Sequence, residues 1–223
     1  MSGAILTLAG ATLTARPSGA LWWPAARLLC VADLHLARSE RLARRGGTLL
    51  PPYETTETLE RLAAEIAALA PARVVCLGDS FDDPAAGAAL PPADAARLAA
   101  LVAGRAWTWI AGNHDPAPPP FGGQHRTECR LGPLTFRHAA EPAPDPGEVS
   151  GHYHPKLRLP LRGGAVTRPC FLADARRLIL PAFGAYTGGL FASAPPLARL
   201  LAPDARAILT GEPSVTLPLA ALA

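Results

Sequence analysis

Short apolar segments lead into clusters of polar residues at five places in this chain, and this arrangement limits the fold more than any other feature. The first segment, Leu28-Leu29-Cys30-Val31, runs into Asp33 and His35. The other clusters are Gly78-Asp79-Ser80-Phe81-Asp82-Asp83, Gly112-Asn113-His114-Asp115, Arg137-His138 and Gly151-His152-Tyr153-His154. Five of the six histidines lie in these clusters. Because ligands of open α/β sheets bind beyond the carboxyl ends of the strands, we expect the five clusters to meet at one point.

The first half of the chain alternates strands and helices. A β-hairpin is predicted within 4–23, and the apolar segments at 27–32, 73–77 and 107–110 are typical of buried strands. Apolar residues recur at three- and four-residue steps in 55–70, and a second helix is predicted to begin at Pro91. This order indicates βαβ crossovers and a largely parallel sheet.

The pattern changes after residue 116. Short strands are predicted at 128–131, 134–138, 148–151, 156–162, 167–172 and 176–180. Turn residues such as Gly132-Pro133 separate most of them, so we expect an antiparallel meander stacked on the first sheet. The tail gives weaker signals, for a short helix at 196–202 and a strand at 206–210. No linker divides the chain, and residues 1–223 are predicted to form one domain.

Composition excludes several classes of protein. The hydrophobic fraction of 49% and the charged fraction of 17% are those of a globular protein. No window approaches the ~18–20 apolar residues of a membrane span, and the N-terminus lacks a signal-peptide pattern. The four cysteines have no zinc-ligand spacing and suggest no disulfide framework, so we expect a cytoplasmic protein without membrane contact. The net charge of +3 permits a polyanionic partner without requiring one.

The side chains in the clusters indicate a metal centre. Asp, His and Asn without a thiolate suit manganese, iron or zinc ions better than a structural zinc site. They are too many for one tetrahedral ion, whereas two ions bridged by a carboxylate would use them all. Two ions ~3.5–4 Å apart can clamp the attacking and leaving oxygens of a phosphoryl displacement. The sequence therefore predicts a dinuclear site for phosphoester chemistry.

The order and content of the clusters resemble the calcineurin-like metallophosphoesterases. Asp-x-His, Gly-Asp-x-x-Asp, Gly-Asn-His-Asp, a single His and Gly-His-x-His follow one another in the order of that family. The resemblance implies an α/β fold, a four-layer α/β/β/α sandwich of two stacked mixed sheets flanked by helices. It also implies seven metal ligands. Asp33, His35 and His154 would hold one ion. Asn113, His138 and His152 would hold the other, and Asp79 would bridge the two.

The same resemblance implies a mechanism. A hydroxide that bridges the ions would attack phosphorus in line. His114 would protonate the leaving oxygen or stabilise the phosphoryl charge. The carboxylate of Asp82 would orient His114, and Asp83 is the alternative for that role. Asp115 belongs to the third cluster, but its carboxylate could equally serve only to cap its loop.

Longer stretches resemble a narrower group, the bacterial ligase-associated DNA-damage-response endonucleases of the PdeM type. They include Leu-Trp-Trp-Pro (21–24), Leu-Pro-Pro-Tyr (50–53), Trp-Ile-Ala-Gly-Asn-His-Asp-Pro (109–116) and Leu-Pro-Ala-Phe-Gly-Ala-Tyr-Thr-Gly-Gly-Leu (180–190). The resemblance implies a phosphodiesterase that cuts DNA alongside a DNA ligase, a helicase and an exonuclease. It also implies two divalent ions, with Mn²⁺ expected first and Fe²⁺ or Zn²⁺ as alternatives. The chain departs from this group at Asp82, where a histidine is usual, and at 37–40. Asp82 restores the general spacing of the superfamily, whereas the change at 37–40 concerns substrate preference.

Four residues are candidates for substrate binding. Arg38 and Arg41 lie in an arginine-rich segment, 37–52, which is predicted to be a loop and is either a solvated face or a cationic rim for a phosphate backbone. Arg137 lies beside a predicted ligand and could contact phosphate or form a salt bridge. Tyr186 lies in a glycine-rich loop and could belong to the rim of the site.

Two other functions fit the sequence. One is an enzyme of the same fold that acts on small nucleotides, cyclic nucleotides or phosphomonoesters. The other is a non-catalytic scaffold within a DNA repair complex, against which the intact set of predicted ligands argues.

Overall fold

Two β-sheets form the framework of the protein. The computed structural model describes residues 3–47 and 51–222. In these residues the first sheet has seven strands in chain order: β1 (Ala4–Leu8), β2 (Ala11–Ala15), β3 (Leu21–Trp23), β4 (Leu28–Val31), β5 (Arg73–Cys76), β6 (Ala106–Ile110) and β7 (Gln124–Arg126). Strands β1 to β4 pair antiparallel and β4 to β7 pair parallel. The parallel half is the predicted βαβ region, and the predicted hairpin is confirmed.

The helices agree with the sequence prediction in part. They are α1 (Arg38–Arg44), α2 (Glu54–Leu69), α3 (Ala86–Ala89), α4 (Pro92–Val102) and α5 (Pro195–Ala198). Helices α2 and α4 are the two predicted from apolar periodicity. No helix in the described part of the chain is long and apolar enough to cross a membrane.

The predicted loop at 37–52 is wrong over its first half, which forms α1; residues 48–50 of that segment lie outside the described residues. The helix has little apolar periodicity and is held by polar contacts. The buried carboxylate of Glu54 accepts hydrogen bonds from the Ser39 N–H at 2.9 Å and from its hydroxyl at 2.7 Å. The Ala37 N–H donates to the Thr55 hydroxyl at 2.8 Å.

The second sheet contains the remaining strands. They are β8 (Glu128–Leu131), β9 (Leu134–Arg137), β10 (Glu148–Ser150), β11 (Lys156–Leu161), β12 (Gly164–Ala173), β13 (Arg177–Ile179), β14 (Arg206–Leu209) and β15 (Thr216–Pro218). Their order is β15-β14-β12-β13-β10-β9-β8, and β11 pairs with β12. All the strands predicted after residue 116, including the one in the tail, are present.

The predicted antiparallel meander is wrong at the centre of this sheet. Strand β10 pairs parallel with both β9 and β13. The chain after β9 crosses back through 138–147 before it forms β10, so both strands end at the same edge. His138 and the 151–154 cluster follow these two ends directly.

Side chains alternate between the faces of each sheet and so build separate apolar layers. Val75 of β5 points between the sheets, where it joins a core that contains Phe136 of β9. Val74 points the other way and joins Leu62 of α2. On the far face of the second sheet, Leu197 of α5 packs in a third cluster. Helices and sheets thus alternate as α/β/β/α, which confirms the predicted fold class.

We predict that Phe136→Ala lowers the free energy of unfolding by about 3–5 kcal/mol, because the ring is fully buried between the sheets. Urea titration followed by fluorescence measures the change. The control is Ile5→Ala, since that side chain is 76% exposed, and its effect should stay within about 0.5 kcal/mol. A loss below about 1 kcal/mol for Phe136→Ala would contradict the assignment of this core.

Candidate metal centre

The segments after β4 and β5 run side by side beyond the end of the sheet. The His35 N–H donates to the Asp79 carbonyl at 2.9 Å, and the Leu36 N–H donates to the Ser80 carbonyl at 3.0 Å. The Asp82 N–H donates to the Leu36 carbonyl at 3.0 Å. This pairing continues the parallel register of the two strands and places the first two polar clusters next to each other.

Three of the predicted ligands meet at one point. His35 Nε2 lies 3.3 Å from His154 Nε2, which lies 3.5 Å from Asp33 Oδ1. Asp33 Oδ1 is buried and has no hydrogen-bond partner among the described residues. Ligands bound at ~2.1 Å to one ion are ~3.0–3.4 Å apart in octahedral or tetrahedral geometry. These three atoms therefore fit a single divalent ion.

The other four predicted ligands form a second group. His138 Nε2 lies 2.9 Å from Asn113 Oδ1, 3.0 Å from His152 Nδ1 and 3.4 Å from Asp79 Oδ2. These separations again match ligands around one ion. The structure thus brings the seven predicted residues into two neighbouring groups, with Asp79 in the second. The assignment of the ligands to two ions and the bridging role of Asp79 stay predictions.

Hydrogen bonds orient two of the histidines, His35 and His138, for metal binding. The acceptors of His35 and His138 Nδ1 are the Asp82 carboxylate at 2.7 Å and the Leu77 carbonyl at 2.8 Å. Because these partners only accept, each Nδ1 carries a proton, and Nε2 is the nitrogen left to bind a metal. Burial, with the charge of His138, lowers the pKa of His152 and favours its neutral form.

The ligand loops have an unusual backbone. Five of the seven predicted ligands have positive φ angles, between 45° and 72°: Asp33, His35, Asp79, His152 and His154. A non-glycine residue in this conformation costs ~1–3 kcal/mol, and such residues concentrate at functional sites. The strain indicates that these loops are shaped for the position of the side chains.

The expected contact between the Asp82 carboxylate and His114 is not the one that forms. Asp82 is fully buried, and its carboxylate pairs with His35, Arg38 and Arg41 instead. Burial alone would raise the pKa of Asp82, but the bonds from His35 and Arg41 outweigh it and lower the pKa to about 2. His114 Nδ1 donates to the backbone carbonyl of Asp82 at 2.8 Å. Asp82 therefore contacts both histidines, one through its side chain and the other through its backbone.

Asp115 braces the loops around the site. Its carboxylate accepts hydrogen bonds from the N–H groups of Ser80 at 2.8 Å, Phe81 at 3.1 Å and Gly112 at 3.2 Å. Burial raises its pKa to about 6, with a further contribution from the charge of Asp79, although the N–H donors oppose the shift. These contacts support the loop-capping role.

Three of the four predicted substrate-binding residues are engaged in ion pairs. Arg38 and Arg41 pair with Asp82, and their side chains are 25% and 16% exposed. Arg137 pairs with three glutamates, which are Glu128, Glu141 and Glu148. Tyr186 differs, since it is 43% exposed in the loop that follows β13. Its substrate role stays a prediction.

Sequence reasoning missed the link between α1 and the metal centre. Arg38, Arg41 and Arg44 stand at three-residue steps, so they share one helix face. That face meets the adjacent carboxylates of Asp82 and Asp83, which pair with Arg41 and Arg44 respectively. The spacing of the arginines is the signal that could have revealed the helix and its contact.

The comparisons with known proteins agree with this geometry. Residues 26–179 match the family model of calcineurin-like phosphoesterases. The chain belongs to this family. A solved structure of Pseudomonas putida nuclease MPE is similar to the chain, at 28% sequence identity and a TM-score of 0.74, and the similarity covers 96% of this chain and 100% of that one. A search of curated proteins found no match. The protein is therefore a metal-dependent phosphoesterase, and the predicted family is confirmed.

We predict that Asp82→Asn weakens metal binding about 10- to 100-fold, because the amide removes the charge that orients His35 and raises the basicity of its Nε2. Calorimetric titration of the metal-free protein with Mn²⁺ measures the affinity. Asp83→Asn is the matched control: it removes the neighbouring buried charge, which pairs with Arg44 and Arg45. Equal affinities for the two variants would show that Asp82 does not act through His35.

Proposed function

We propose that the protein is a dinuclear, manganese-dependent phosphodiesterase that cuts DNA. The observation that carries the proposal is the pair of ligand groups, which lie side by side with His114 next to them. The rings of His35 and His114 are 5.1 Å apart. The similarity to a nuclease supports a polynucleotide substrate.

Different residues would bind the metal ions and donate the proton. Asp33, His35 and His154 would hold one ion, and the group around His138 would hold the other. The bound ions would supply an activated water and offset the charge on phosphorus. His114 carries a proton on Nδ1, which is held by the Asp82 carbonyl. Its Nε2 is therefore the atom that would donate a proton to the leaving oxygen, once that nitrogen carries a proton as well.

The donor set supports manganese. Three carboxylate or amide residues and four imidazoles make a mixed oxygen and nitrogen site without sulfur. Such a set suits Mn²⁺, and it also accommodates Fe²⁺ or Zn²⁺. Metal analysis of the purified protein identifies the ion.

The wider biological role is also part of the proposal. We infer from the narrower resemblance that this enzyme works in the cytoplasm in DNA repair, beside a DNA ligase, a helicase and an exonuclease. Small nucleotides or cyclic nucleotides are a second candidate class of substrate, because the modest net charge of +3 does not require a polyanion. Co-purification with a DNA ligase would support the repair role.

We predict that chelation abolishes hydrolysis of bis-p-nitrophenyl phosphate and that added Mn²⁺ restores it, because the ligand atoms can supply no activated water by themselves. The same restored sample should nick a plasmid. A sample treated with chelator and then with Ca²⁺ controls for general effects of divalent ions. Activity on phosphomonoesters alone would contradict the phosphodiesterase assignment.

We also predict that His114→Ala lowers kcat on bis-p-nitrophenyl phosphate about 10²- to 10⁴-fold while metal content stays at two ions, because His114 acts on the leaving oxygen. Steady-state kinetics with metal analysis measures both quantities. His125→Ala is the control, since His125 lies on β7 outside the five clusters. If His114→Ala retained full DNA repair in cells that need the protein, the scaffold hypothesis would replace this one.

A further inference from the structure

Strand β11 has one edge that no other strand fully covers. Its opposite edge pairs antiparallel with β12. In an antiparallel pair, alternate residues exchange hydrogen bonds with the partner strand. The Cys170 N–H donates to the Pro155 carbonyl at 2.9 Å, so Pro155 and Leu157 occupy positions that bond to β12. The N–H and C=O groups of Lys156 and Arg158 therefore point away from β12.

The chain itself covers this free edge at one residue. The Lys156 N–H donates to the Leu190 carbonyl at 2.9 Å, and the Ala192 N–H donates to the Lys156 carbonyl at 2.9 Å. This short parallel contact ends after Ala192, where the chain turns towards α5. In the described part of the chain, β12 is the only strand that pairs with β11. The backbone of Arg158 is thus left with an unpaired donor and an unpaired acceptor at a sheet edge.

An apolar cavity of about 720 Å³ lies along the free edge. Arg158 and Pro160 of β11 line it, and its apolar walls include Leu157, Phe191 and Leu201. Cavities of ~300–1,000 Å³ with mainly apolar walls are typical binding sites. Because side chains alternate between the faces of a strand, a strand paired with Arg158 would direct every second side chain towards this cavity.

The rim of the cavity is cationic. Arg158 lines the cavity, and Arg199 follows the lining residue Ala198. Both arginines are exposed, and neither forms an ion pair within the residues that the structure describes. The acidic residue next to the lining, Asp204, pairs with neither of them. Two arginines without counter-charges therefore flank an apolar space.

The last part of the chain has the same bias of charge. Residues 151–223 contain eight basic and three acidic residues, whereas residues 1–150 contain thirteen and fifteen. An acidic partner is attracted to such a surface. A second copy is not, because pairing of two β11 edges would bring Arg158 close to its counterpart. Pro160 also lacks an N–H, and proline on an edge strand is a known protection against pairing between copies.

We propose that the free edge of β11 and the adjoining cavity form a docking site for an extended, acidic segment of a partner protein. The backbone of the segment would pair with Arg158, its apolar side chains would enter the cavity, and its carboxylates would meet Arg158 and Arg199. Strand addition of this kind gains affinity from the main chain and specificity from side-chain pockets. A nucleic acid matches the charge alone. None of the seven predicted metal ligands lines the cavity, so the site is separate from the metal centre.

The first test uses fluorescence anisotropy with a labelled peptide in which leucine or valine alternates with glutamate. We expect the wild-type protein to bind it. Every second backbone N–H of the peptide can be methylated in two alternative sets, and only one set faces β11. That set should weaken binding at least about tenfold, because it removes the hydrogen bonds to Arg158, and the other set should weaken it less than about threefold. Absence of binding, or equal effects of the two sets, would overturn the proposal.

The second test changes the protein. Arg158→Glu and Phe191→Ser should each weaken binding of the peptide about tenfold, because one reverses a charge at the rim and the other removes part of an apolar wall. Arg206→Glu is the matched control, with an expected effect below about threefold. Arg206 is also exposed and has no ion pair among the described residues, but it lies on β14 and does not line the cavity.

Hydrolysis of bis-p-nitrophenyl phosphate shows whether the variants are folded. Arg158→Glu and Phe191→Ser should hydrolyse it at the wild-type rate, since neither residue is a predicted ligand or a predicted catalytic group. Equal weakening of peptide binding by all three variants, or loss of hydrolysis together with binding, would overturn the docking site.

Two other occupants of this surface have distinct signatures. Displacement of the peptide by duplex DNA would assign the surface to nucleic acid. A wild-type dimer in sedimentation that Phe191→Ser dissociates would assign it to a second copy of the chain. Either result would overturn the proposal, whereas a monomer that retains the peptide in the presence of duplex DNA supports it. No measurement of peptide binding depends on cleavage of DNA, so the docking site and the proposed function can fail separately.

Discussion

Lone pairs that face one another across a buried space need a proton or a metal ion between them, and the rest of this structure is arranged around that constraint. Nε2 of His35 faces Nε2 of His154, and Asp33 Oδ1 lies beside them without a hydrogen-bond donor. An uncompensated charge in such a place costs several kcal/mol. A divalent ion bound only to the folded chain would turn this cost into stability. The strained ligand loops are explained in the same way, since the strain is tolerated where metal binding offsets it.

The architecture shows how two sheets can serve one site. Parallel strands β4, β5 and β6 end at one edge of the first sheet, and β9 and β10 end at the facing edge of the second. The antiparallel strands β1 to β3, β14 and β15 carry no predicted ligand and extend the two sheets away from the site. Parallel pairing therefore occurs where ligands must converge. The packing of Phe136 and its neighbours between the sheets keeps the two edges in register.

The sequence predicts the parts of the site that are local. Each ligand lies within a few residues of a strand end, so the seven could be identified before their distances were known. Apolar periodicity did not predict the contacts of Asp82, because its partners Arg38 and Arg41 come from a helix that lacks it, and only the three-residue spacing of the arginines could have indicated them. The parallel pairing of β10 could not be predicted either, because a short apolar strand has the same sequence pattern in parallel and antiparallel sheets. In both cases long-range contacts decided the outcome against local pattern.

Charge pairing at α1 changes what the arginine content means for the substrate. Arg38, Arg41 and Arg44 face the site, yet they pair with Asp82 and Asp83, and Arg44 also pairs with Glu40. Net charge therefore overstates the positive field that a polyanion would meet here. Paired charges contribute little to long-range steering, which depends on unbalanced potential. Recognition of a nucleic acid would then depend on contacts close to the reacting phosphate.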